Sequence, residues 1–147
     1  MTFDELWRRL ERVAFLEFRS TTRKVGSWSG QGNGRVEVVF IEPNVLVWNE
    51  HGTWTQSDGR ELVFSNVFRW TRAEETLRLE HLRFGADKPV FLFDLTPGED
   101  GVWRDAIPHL CREDEYHGAL WSEGDSLHLD WTVVGPRHDE AMCYRYQ

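Results

Sequence analysis

The run Val45-Leu-Val-Trp-Asn-Glu-His-Gly-Thr-Trp-Thr-Gln56, then Ser57-Asp-Gly59, then Glu61-Leu-Val-Phe-Ser-Asn-Val-Phe-Arg-Trp-Thr-Arg72, decides the fold. Leu46, Trp48, Glu50, Gly52 and Trp54 share one side of the first segment, and Leu62, Phe64, Asn66, Phe68 and Trp70 share one side of the second. A period of two belongs to a β-strand, whose successive side chains point to opposite faces. The Ser-Asp-Gly between the two segments is a turn signal. The pair therefore reads as an antiparallel hairpin with one apolar face and one wet face.

The same alternation extends in both directions. Val36, Val38 and Phe40 alternate with Arg35, Glu37 and Val39; Leu77, Leu79 and His81 oppose Arg78 and Glu80; Leu127, Leu129, Trp131 and Val133 oppose His128, Asp130 and Thr132. Further turn signals stand at 42–44, 85–89, 97–101, 123–125 and 135–136. Strands are expected near 15–23, 34–41, 44–56, 60–71, 76–84, 89–95, 102–111, 115–122, 126–134 and 139–146. So much strand with such short connections suits a closed up-and-down barrel, in which consecutive hairpins use nearly every residue and closure removes exposed edges. No second helical pattern occurs, which excludes parallel βαβ architecture.

The N-terminus has a different period. Phe3, Leu6, Trp7, Leu10 and Val13 fall three and four apart, and Thr2 with Glu5 has capping-box spacing, so a helix is expected over about 2–13. The expectation is all-β: one antiparallel up-and-down β-barrel of 8–10 strands over about 15–146, with an N-terminal α-helix, in a single domain spanning 1–147.

Charge narrows the partners. Seventeen Lys and Arg against 25 Asp and Glu leave a formal charge of −8 over 147 residues. That field repels phosphate backbones and anionic membrane surfaces, so neither nucleic acid nor a membrane is expected as a partner. No apolar run approaches membrane-spanning length, and Cys111 and Cys143 are too few for a stapled secreted scaffold. A cytoplasmic protein, monomeric or homodimeric, is expected. Eight Trp, nine Phe and three Tyr make 14% of the chain, enough either to fill a β core or to line a pocket.

Three motifs bear on chemistry. Gly30, Gly32 and Gly34 superficially match a phosphate loop, but Val-Glu-Val-Val-Phe follows as a strand where a dinucleotide site needs a helix N-terminus. The glycines are read as a sharp bend or a bulge where the sheet curls. His109 and Cys111 share one side of a strand and are good zinc or iron ligands, with His81 the best third ligand; the same pair is also a possible nucleophile and base. The competing reading is a small hydrophobe beside a hydrogen-bonded histidine. Glu50, finally, shares the apolar face with Trp48 and Trp54. A carboxylate there must be paired, hydrogen-bonded or shifted in pKa. Asn66 and His81 fall on apolar faces too, which fits either a polar patch in a ligand cavity or a closed internal network that fixes register. The sequence leaves open which face of the 44–56 strand points inward.

The second half of the chain carries a resemblance. His109-Leu-Cys111, Asp114-Glu-Tyr116, Gly118, Trp131-Thr-Val133-Val-Gly135-Pro136-Arg137, Asp139 and Tyr144-Arg-Tyr146 resemble a family of uncharacterised bacterial proteins with a lipocalin-like, calycin-type barrel. Trp48-Asn-Glu50-His-Gly52, Phe68-Arg-Trp70 and Phe91 to Leu95 are similar to the family's strands in the same order, so the likeness covers roughly 26–147. It implies a fold related to lipocalins and fatty-acid-binding proteins; it supplies no catalytic residues.

The resulting expectation is a barrel that binds a small apolar or amphipathic molecule, without cofactor or catalytic residue. Trp48, Phe68, Trp131 and Tyr144 would form its stacking wall, and Glu50, Asn66, His81, His109 and Tyr116 its polar contacts. The alternatives are a haem- or metal-dependent protein or small-molecule enzyme using His109, Cys111 or His81, and an interaction scaffold whose interior is filled by its own rings. The scaffold would leave a pocket below about 300 Å³.

Overall fold

The computed structural model describes residues 1–23, 29–107, 109–111 and 113–147, with only the backbone described at 109–111. A helix, α1 (Phe3–Arg12), precedes β1 (Phe15–Thr22), β2 (Gly30–Glu42), β3 (Val45–Gln56), β4 (Glu61–Arg72), β5 (Leu77–His81) and β6 (Val90–Pro97). Then come β7 (Trp103–Asp105), β8 (His109–Cys111), β9 (Asp114–Glu123), β10 (Ser126–Val134) and β11 (Asp139–Tyr146). Each strand pairs antiparallel with its sequence neighbours, except that β7 and β8 both pair with β9. The first strand closes on the last, Leu16 opposite Tyr146 and Phe18 opposite Tyr144. Counting β7 and β8 as one interrupted stave, the result is a closed ten-strand up-and-down barrel.

The helix plugs one end. Thr2 Oγ1 accepts from Glu5 N at 3.2 Å while Thr2 N donates to Glu5 Oε2 at 2.7 Å, so the expected capping box forms. Leu6, Trp7 and Leu10 are buried on the barrel side. Trp48 Nε1 donates to the carbonyl of Leu10 at 3.1 Å, and the Phe3 ring lies 4.7 Å from that of Trp103. Arg72 stacks its guanidinium over Phe3 and is bonded to Asp4. Each large apolar side chain so buried stabilises the fold by roughly 1.5–3 kcal/mol. No helix among the described residues is long and apolar enough to cross a membrane.

Three features differ from the sequence reading. The glycines at 30, 32 and 34 do not form a bulge; they are ladder residues of β2 in continuous register with β3. A Cβ on Gly32 would stand 2.6 Å from Trp54 Cβ and 2.7 Å from Phe18 Cε1, so glycine is what lets those rings lie against the sheet. The register shift in this ladder lies at the other end, between Phe40 and Glu42. Secondly, the strand expected over 102–111 is interrupted. Asp105 Oδ1 accepts the backbone N–H of Gly118 at 2.7 Å, taking a donor that a continuing ladder would have used. Thirdly, Glu80 is buried although it points outward: Arg69 Nε donates to its Oε1 at 2.9 Å, and Arg69 Nη1 reaches the carbonyl of Ala86 in the loop that follows.

Gly118 is a second close-packing glycine. An added Cβ would lie 2.6 Å from the ring of the fully buried Phe93. Gly118→Ala is therefore expected to destabilise the barrel by about 1–3 kcal/mol in urea unfolding. Adding Phe93→Leu should recover part of that loss through coupling. A change within about 0.5 kcal/mol for the single variant would contradict this packing.

Candidate functional site

Inward-pointing side chains are buried towards the helix end and half-exposed further along the same staves. Leu16 gives way to Phe18, Leu129 to Trp131, Leu120 and Gly118 to Tyr116, and Tyr146 and Tyr144 to Met142. On β4 the buried Trp70 and Phe68 give way to Asn66 and Phe64; on β3 the buried Trp48 and Glu50 give way to Gly52 and Trp54. Gln56 and Val133, beyond this band, are buried again. Exposure of side chains that point into a barrel means space in the lumen. The buried Gln56 and Val133 bound this loosely packed level of the lumen, the recess, on β3 and β10. Below it, the gap among Trp48, Phe68, Trp70, Leu79, Leu129, Trp131 and Tyr146 admits no water-sized sphere, so Trp131 stands between the filled half and the half-exposed band.

Glu50 sits where the filled half meets the recess. It is 1% exposed, and Tyr146 Oη donates to its Oε2 at 2.7 Å from across the lumen. Asn66 is its direct partner across the β3–β4 ladder. The nearby Asn66 amide favours the carboxylate, yet Oε1 has no hydrogen-bond partner of normal geometry. Removal from water dominates, and the carboxyl is pushed up to about 7. Burial and the same carboxyl push Tyr146 and Tyr144 well above the ordinary phenol range, so both phenols stay protonated. Their rings are stacked, with centroids 5.6 Å apart and planes 3° apart, and Tyr144 also stacks on Phe18.

The sequence-selected residues divide accordingly. Trp48 points inward, which settles the face of β3, but its N–H is used by the helix and its ring meets Trp70 and Tyr146 in the filled half. Phe68 is buried with its ring 4.8 Å from that of His81. The His81 imidazole is half-buried, and burial and then the nearby Arg83 push its pKa down. Glu50, Asn66 and Tyr144 come together; Trp131 and Tyr116 reach the recess from β10 and β9. The side chains of His109 and Cys111 lie outside the described residues, and with them the proposed ligand set and the proposed nucleophile. Among the described residues no group of three His, Cys, Asp or Glu side chains is placed to hold a metal ion.

Sequence reasoning missed Tyr146, the partner of Glu50, and the recess positions Phe18, Phe64 and Met142. Phe64 and Tyr146 were visible as face-mates of Asn66 and Tyr144. That Tyr146 reaches Glu50, 96 residues away, depends on closure of the barrel. A shallow concavity of about 650 Å³ crosses β1, β2, β3, β10 and β11, lined mostly by outward groups of mixed charge such as Glu17, Arg19, Asn33, Asp130 and Arg145, with the inward Phe18 and Tyr144 also reaching it.

Folding raises the Glu50 pKa, so the native state holds a proton that the unfolded chain has released. Its contribution to stability is full below about 4.5, the unfolded value, and is lost as pH rises through about 7. The loss amounts to about 3 kcal/mol across that window. Urea unfolding of the wild type and Glu50→Gln at both ends of the window should show the wild type losing stability towards high pH relative to the variant. Parallel profiles would contradict the assignment.

Comparisons place this barrel among known proteins. The S-type phycobiliprotein lyase CPES from Guillardia theta is similar at a TM-score of 0.62 and 9% identity, over 99% of this chain and 92% of that one. A de novo designed fluorescence-activating β-barrel aligns over 95% of this chain and 96% of its own at 16% identity and a TM-score of 0.45. A redesigned β-barrel, mFAP1, bound to DFHBI aligns over the same shares at 13% identity and a TM-score of 0.43. No curated protein matches the chain. The model of the Family of unknown function (DUF6314) matches residues 12–147, and the chain belongs to that family.

Proposed function

We propose that the recess binds a small apolar or amphipathic molecule, as lipocalins and fatty-acid-binding proteins do with their barrels, and that binding is the protein's activity. The carrying observation is the band of half-exposed inward side chains between a filled floor and buried positions beyond. A core that existed only for stability would close over Phe64, Trp131 and Met142, because exposed apolar area forgoes about 25 cal/mol per Å². In this reading Phe18, Phe64, Trp131 and Tyr144 supply wall, and Glu50, Asn66, His81 and Tyr116 supply the few polar contacts that orient a guest. Trp48 and Phe68 support the floor from below. The scaffold alternative draws on the filled lower half, where no water fits.

Trp131 is the natural reporter. Titration with N-phenyl-1-naphthylamine, retinol, a long-chain fatty acid and a linear tetrapyrrole is expected to give saturable quenching or displacement with at least one of them. Met142→Trp, which narrows the recess, should weaken that binding about tenfold or more. Its melting temperature should stay within about 5 °C of the wild type. Absence of a saturable change with all four probes would exclude the proposal in favour of the scaffold.

A further inference from the structure

Resting on that reading, we infer that the deep end of the recess accepts an organic base, a ring-bearing amine whose N–H groups bond Glu50 Oε1, and rejects an anionic end group. Two observations carry this. The first is the unpartnered oxygen. An ionised carboxyl offers about four lone-pair sites. Tyr146 takes up Oε2, while Oε1 is buried with no hydrogen bond of normal geometry, the half-exposed Asn66 amide being, among the described residues, the only other group that favours the carboxylate. A buried acceptor left unmade is destabilising, and a donor arriving from the recess would satisfy it.

The second observation is the sign of the surrounding charge. Among the described residues no Lys or Arg points into the recess. Arg19, Arg69 and Arg145 lie on outward positions of their strands, as their ladder partners Cys143, Glu80 and His128 show. Arg72 is engaged by Asp4 and Phe3 at the helix end. Arg83, the cation next to His81, is exposed with its guanidinium 4.9 Å from the Phe84 ring centroid. A carboxylate ligand driven to the floor would meet Glu50 with no compensating cation. A cation there would meet one acid and the faces or edges of Phe18, Tyr144 and Trp131, the surroundings that favour ammonium groups.

The test compares 1-naphthylmethylamine with 1-naphthoate, matched in size, by displacement of N-phenyl-1-naphthylamine at about pH 8, where the acid is ionised and the amine largely protonated. The amine is expected to bind about tenfold or more tighter than the naphthoate, and Glu50→Gln should reduce the ratio to about threefold or less. If the fluorescent probe binds but the naphthoate equals or exceeds the amine, or the ratio is unchanged in Glu50→Gln, the inference is overturned while the recess remains a binding site. If neither the probe nor either naphthyl compound binds, the binding proposal itself falls, and this inference with it. Should Glu50→Gln fail to fold, the wild-type ratio still decides.

Discussion

A barrel of ten staves encloses more width than ordinary side chains fill, since about eight strands already give an interior just closed by its own residues. The rest of the structure follows from how this chain meets that constraint. Rings do the filling. Trp48, Trp70, Tyr146 and Phe93 are among the largest fully buried side chains, and Leu6, Trp7 and Leu10 of the helix cover the end they occupy. The indole of Trp48 ties the two parts together by donating to the carbonyl of Leu10. Gly30 and Gly32 of β2, together with Gly118 on β9, are the counterpart of this ring content. At these positions an aromatic side chain comes so close that a Cβ has no room.

Filling stops at Glu50. A carboxyl with one bonded oxygen and one unbonded oxygen, buried among tyrosines and tryptophans, is a poor way to stabilise a core. An apolar residue there would avoid the desolvation penalty altogether. The position is intelligible if the carboxyl faces a space that something else enters. The stacked pair Tyr144 and Tyr146 fits the same account. One phenol is committed to Glu50, and the other extends the aromatic surface to Phe18 at the level where exposure begins.

The fold was legible from alternation because period two survives local irregularity. The strands around Trp48, Phe68, Leu129 and Tyr144 and the capped helix all lie where their patterns put them. What misled was chemistry that acts between elements. The glycine triplet reads as a possible bulge when considered alone, yet its ladder to β3 is unbroken, and Gly32 leaves the space that Phe18 and Trp54 need. The 102–111 run reads as one strand until the Asp105 carboxylate captures the Gly118 amide. Glu80 alternates as a wet residue and is buried with Arg69 bonded to it, an arginine that also reaches the Ala86 carbonyl in a loop that no local pattern positions. At the site, the oddity of Glu50 was readable from its own strand. Its partner was not, because Tyr146 meets it only after the last strand has closed on the first.

The account therefore turns on the state of one carboxyl. Selective 13C labelling of glutamate carboxyls, with Glu50→Gln to assign the Glu50 resonance, would follow its titration in the folded protein. A midpoint near 7, accompanied by a shift when a guest amine is added, is the predicted result. A midpoint near the ordinary 4.5, insensitive to any guest, would mean that Glu50 is solvated and that no enclosed polar floor exists.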